Sequence, residues 1–156
     1  MKSADLEARG ALLSLLADRA LASRIEPGLN LEQHLAFVLP YYERCFRENP
    51  DGEGSHSRYS AGWDLAHLFH HLWSDPQTRP AVDQIRDWLA RLYKSADADL
   101  RRSIVDATLE HLFVIEGIAK LFAGWRKDPE LRIAHDEAAL WKQGLDENHQ
   151  SDPFFR

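Results

Sequence analysis

The chain has a single cysteine, Cys45, which excludes an intrachain disulfide framework and a cysteine-built zinc site. Cys45 reads as a small buried hydrophobe, because nothing beside it in sequence would lower its pKa and make it reactive. Long apolar runs are also missing. No stretch approaches the roughly 20 residues that span a bilayer, so no membrane partner is expected. The opening "MKSADLEARGALLSLLADRALA" flanks its apolar run with charge on both sides and has no basic leader, so a secretory signal is not expected. The expected location is the cytoplasm. Basic residues are outnumbered 25 to 19, for a net charge of −6, and occur in no run longer than a pair such as Arg101-Arg102. A nucleic-acid partner would call for a basic face, so none is expected. Val, Ile and Thr are scarce, and no segment alternates with period two, which leaves a β-sheet nothing to build on. There is no nucleophile elbow, phosphate loop or dinucleotide fingerprint, so no catalytic class declares itself and enzyme activity is not expected.

What is present is helical spacing. The chain's 156 residues can bury about 70% of their unfolded surface in one domain. In residues 3–23, Leu6, Leu13, Leu16 and Ala20 recur at helical intervals, and Ser3 can cap the start. A second helix opens on the capping pair Asn30 and Gln33. Its stripe is Leu31, Leu35, Val38, Leu39, Tyr42 and Phe46, with Pro40 expected to kink or split it. The polar "ENPDGEGSHSR" (48–58) reads as a loop. A third helix spans about Ser60 to Trp73. A fourth carries Val82, Ile85, Leu89 and Leu92. A fifth spans about 97–113 with Leu100, Ile104, Ala107, Thr108 and Leu112. A sixth covers about 115–125. Asp128 caps a seventh with Pro129 in its first position. Leu131, Ala134, Ala138 and Trp141 line that helix, and Gly144 is expected to stop it. The reading is an all-α single-domain bundle of six or seven helices over 1–144, arranged as antiparallel pairs, with an acidic tail at 145–156.

A shift of 53 lays residues 65–88 over 118–141 without a gap. Ala66/Ala119, Leu68/Leu121, Phe69/Phe122, Asp75/Asp128, Pro76/Pro129, Arg79/Arg132, Ala81/Ala134, Asp83/Asp136 and Trp88/Trp141 match. Shared helix-start chemistry explains some of these identities, but not Leu-Phe and Trp at matching distances. Two related helix pairs follow, an arrangement open to solenoid-like packing, whose groove often binds protein. Pro80 breaks the correspondence, because the first copy's second helix must start later, with Thr78 as its expected cap.

"GWDLAHLFHHLW" (62–73) holds three of the eight histidines. On a helix, Leu65, Leu68, Phe69, Leu72 and Trp73 share the core face. Asp64, His67 and His71 fall on another side, bordered by Trp63 and His70. Three readings follow. His67 and His71, one turn apart, with Asp64, could ligate zinc or another divalent transition metal, completed by Glu110, His111, His34 or His135, as in a metal-binding protein or metal-dependent hydrolase. Alternatively Trp63, His67, His70 and His71 form a recognition surface. The plain structural reading packs this face on another helix, with His70 at the core boundary bonded to a carboxylate or carbonyl. Elsewhere, His111 reads as a satisfied core histidine, Tyr41 and Tyr42 as packing, and His135 to Glu137 as a polar face. Phe154 and Phe155 end the acidic tail and could dock on the body, insert into a partner or join a homo-oligomer.

"SIVDATLEHLFVIEGIAKLFAGWRKDPELRIAHDEAALW" (103–141), with "YSAGWDLAHLF" before it, resembles small uncharacterised bacterial all-α proteins of the immunity-protein kind, over about half the chain and through its helix pattern and "LEHLF". The resemblance implies a small acidic cytoplasmic protein that binds another protein without cofactor or catalysis. The −6 charge suits a basic toxin or enzyme as that partner.

Overall fold

A computed structural model of the chain describes residues 31–48 and 58–151. The described residues form an all-α bundle with no strand among them. The expected first helix, Asn30, Phe154 and Phe155 lie outside the described residues. Helix α1 is Leu31–Glu48 and α2 is Arg58–Ser74. A 3-10 turn, Arg79–Ala81, leads into α3, Val82–Lys94. Helix α4 begins as Ala98–Ile104, widens into a π turn at Val105–Leu109 and finishes as Glu110–Phe113. Helix α5 is Glu116–Leu121, followed by a 3-10 turn at Ala123–Lys127 and by α6, Pro129–Ser151.

Side-chain chemistry sets these boundaries. Asp97 caps α4, its carboxylate accepting from the Leu100 amide at 2.8 Å. Asp128 caps α6 the same way, accepting from the amides of Glu130 and Leu131 at 3.0 and 3.3 Å. Three expectations need correction. Helix α1 is not split at Pro40. Pro40 and Ala36 are both exposed, so water can reach the Ala36 carbonyl that the proline leaves unbonded. Thr78 does not cap α3. Its hydroxyl turns back and donates to the Leu72 carbonyl at 2.8 Å, closing α2 instead. Gly144 does not stop α6, which continues to Ser151. A glycine ends a helix when it turns left-handed. In a right-handed backbone it costs only about 1 kcal/mol against alanine.

Both matched segments run helix, turn, helix, but the second helix starts at different points. In the later copy α6 starts at Pro129, directly after its cap. In the earlier copy the α-helix waits until Val82. A helix starting at Pro76 would need an N–H from Pro80, which has none.

One continuous core joins every described helix. Phe122 lies near its centre, fully buried, with ring centroids 6.0 Å from Phe69, 5.5 Å from Phe113 and 5.0 Å from Trp125. The matched Phe69 and Phe122 therefore touch. Helix α2 meets the π turn of α4 at Gly62. A Cβ there would stand 2.6 Å from the Cβ of Ala107, and the Gly62 carbonyl accepts from the Thr108 hydroxyl at 3.0 Å. This crossing fixes α2 against α4 and so places the histidine-rich face.

Candidate functional site

Beyond Gly62, α2 and the end of α4 diverge and leave a cleft of about 340 Å³, lined by Trp63, Ala66, His67, His70, His111 and Val114. Trp63 forms one wall and is 54% exposed, an unusual state for an indole on a protein this small. Its ring meets His111 edge-on, with centroids 5.9 Å apart. His111 in turn packs on Trp141 of α6 at 6.2 Å. The result is a row of three rings held by three helices.

His70 closes the inner end. It is half-buried and donates from Nε2 to the His111 carbonyl at 3.1 Å. That carbonyl lies in the last turn of α4, where carbonyls lack helical partners, so His70 acts as a C-terminal cap. Burial lowers the His70 pKa, against a smaller upward pull from this hydrogen bond, while His67, His111 and His71 add to the lowering. The ring is therefore neutral at neutral pH. Its contribution to stability is lost as pH falls through the lowered value.

The expected cluster divides in the structure. Trp63, His67 and His70 line the cleft; Asp64 and His71 do not. Both are exposed. Asp64 lies toward α1, near enough to help burial, Cys45 and Tyr42 raise the Tyr41 pKa above its ordinary value. Among the described residues, no three His, Cys, Asp or Glu side chains are placed to hold a metal ion, and Asp64, His67 and His71 are no exception. His111 is corrected from core residue to half-buried cleft wall. His135 moves the other way: it is 8% exposed and packs edge-on against Phe113 at 5.2 Å, so 135–137 is not a uniformly polar face. Cys45 is buried, as expected.

Glu110 stands beside His111 with its carboxyl half-buried. Burial, and then the charges of Asp106 and Glu137, push its pKa up from 4.5 to about 7. A raised carboxyl pKa favours the folded state only while the group is protonated. Stability should therefore fall as pH rises from about 4.5 to about 7. Glu110→Gln should match the wild type below that window. Above it, the variant should be more stable by about 1–2 kcal/mol, a figure discounted for solvent screening. Urea melts across the window check this; parallel wild-type and variant curves would contradict it.

No family model matches the chain, and no curated protein or solved structure matches it.

Proposed function

We propose that this chain is a non-catalytic protein-binding helical domain that engages its partner through the Trp63 cleft. The carrying observation is Trp63 itself, more than half exposed yet fixed by its contact with His111. A tryptophan already held in place loses little freedom on binding and supplies a large apolar face with one N–H donor. Such residues concentrate binding energy at protein interfaces. The histidines beside it add hydrogen-bonding edges to an otherwise apolar cleft. An immunity-type role fits this reading, with a basic toxin or enzyme occluded sterically and by charge. The net charge of −6 supports that partner class, since complementary potentials speed encounter and reject wrong partners.

The test is site-specific cross-linking in the cells that make the protein. A photoreactive residue at position 67, an exposed site that lines the cleft and leaves Trp63 in place, should yield one discrete protein adduct, lost when Val114→Asp charges the cleft. The same group at position 91, an exposed site on α3, should yield none. Equal adducts from both positions would count against the cleft.

A further inference from the structure

The ring of His70 has a fixed tautomer. Its Nε2 meets the His111 carbonyl at 3.1 Å, and a carbonyl can only accept, so the ring hydrogen sits on Nε2. Nδ1 is then a bare lone pair. An ordinary histidine is already largely neutral at neutral pH, and burial pushes His70 further that way. Nothing among the described residues hydrogen-bonds Nδ1. Unlike the buried ring nitrogens of His34, it is not sealed from solvent. His70 thus brings to the inner end of the cleft an acceptor with no donor to meet it.

The rest of the wall is apolar or aromatic, built from Trp63, Ala66, His67, His111 and Val114. It contains no Asp, Glu, Lys or Arg. A charged group entering would lose its water without gaining a fixed counter-charge. The volume of about 340 Å³ is ample for one ring, since a cavity of about 150 Å³ already holds benzene. Trp63 and His111, edge-on to each other at 5.9 Å, already pack as rings attract one another, and both line the space. The matching occupant is neutral and aromatic, with a donor at its leading tip. Tyrosine carries its O–H there. Phenylalanine has no donor, and the tryptophan N–H lies at the side of its ring.

We infer that the Trp63 cleft receives a tyrosine side chain of the partner protein, its ring beside Trp63 and His111 and its hydroxyl donating to Nδ1 of His70. The inference rests on the protein-binding reading above and names the anchor that the partner presents. Charge steers a basic partner over the whole surface, while the anchor that enters the cleft is uncharged.

NMR titration of the full chain at neutral pH tests this with N-acetyl-tyrosinamide and N-acetyl-phenylalaninamide, which differ by one hydroxyl. N-acetyl-argininamide is the charged control. The tyrosine probe should bind about fivefold more tightly than the phenylalanine probe, the worth of one net hydrogen bond, and the arginine probe should bind most weakly. Of the two aromatic probes, only the tyrosine one should move the His70 Nδ1 resonance toward the range of protonated nitrogens. Trp63→Ala should bind neither. His70→Phe, checked by melting to be folded, should bind both aromatic probes alike; if it does not fold, the wild-type Nδ1 resonance still decides. Equal binding of the two aromatic probes, binding of neither, or tighter binding of the arginine probe would each overturn the inference. So would an Nδ1 resonance that ignores the tyrosine probe, or a preference that survives in folded His70→Phe. Cross-linking from position 67 is a separate readout. An intact adduct without the tyrosine preference sinks the anchor alone, whereas absence of the adduct sinks the protein-binding reading beneath it.

Discussion

Phe122→Ala should lower the stability of the protein by about 3–5 kcal/mol, the range for deleting a fully buried phenylalanine. The ring is fully buried and touches Phe69, Phe113 and Trp125, which belong to α2, α4 and the turn before α6. No single neighbour can collapse into the space, because each is anchored on a different element. Small domains are stable by only about 5–15 kcal/mol, so the variant should be marginal at ordinary temperature. Denaturant unfolding measures the loss. A cost below about 1 kcal/mol would mean that the ring is not a packed hub.

Gly62→Ala should cost about 1–3 kcal/mol, a penalty of overpacking rather than of a lost contact. The added methyl would meet the Ala107 Cβ at 2.6 Å, closer than real Cβ atoms approach, and would also crowd the Thr108 hydroxyl at 3.0 Å. The crossing can relax only by moving α2 from the π turn, which loosens the Thr108 bond to the Gly62 carbonyl. Ala107→Gly removes the obstructing atom. Alone it should cost about 1 kcal/mol of helix propensity, but combined with Gly62→Ala it should recover part of the loss. The double-mutant cycle should therefore show favourable coupling. Simple additivity would place the strain elsewhere.

The fold class was readable from periodicity, because each helix buries one stripe against a common core. Caps at Asp97 and Asp128 were readable too, since a carboxylate before a helix has one obvious use. The π turn at Val105–Leu109 was not. It packs closely against Gly62, a residue more than 40 positions away, and has no local signature. Gly144 shows the opposite limit, since a composition signal for a stop is overridden where the backbone has no reason to turn left-handed. His135 could have been placed from spacing, because it falls with Leu131 and Ala138 on a core stripe at i, i+4 and i+7. The candidate site was half legible. Trp63, His67 and His70 lie at i, i+4 and i+7 on about two turns of a single helix, so pattern alone groups them. His111, Val114 and Trp141 come from the ends and edges of other helices, where a stripe position can be core or cleft wall depending on how far the helices diverge. Asp64 and His71 shared an exposed face with His67 in projection, but the cleft takes only the side toward α4.

The central claim is that the Trp63 cleft carries the binding energy for a protein partner. The most direct measurement is the affinity of the cross-linked partner, once purified, for wild type and for Trp63→Ala. Trp63 is about half exposed and packs on His111, so the substitution should cost only about 1 kcal/mol of folding stability and leave the protein folded. Affinity should drop by at least about 30-fold, the loss of about 2 kcal/mol expected when a tryptophan hot spot is truncated. A folded Trp63→Ala protein that binds the partner as tightly as wild type would contradict the account.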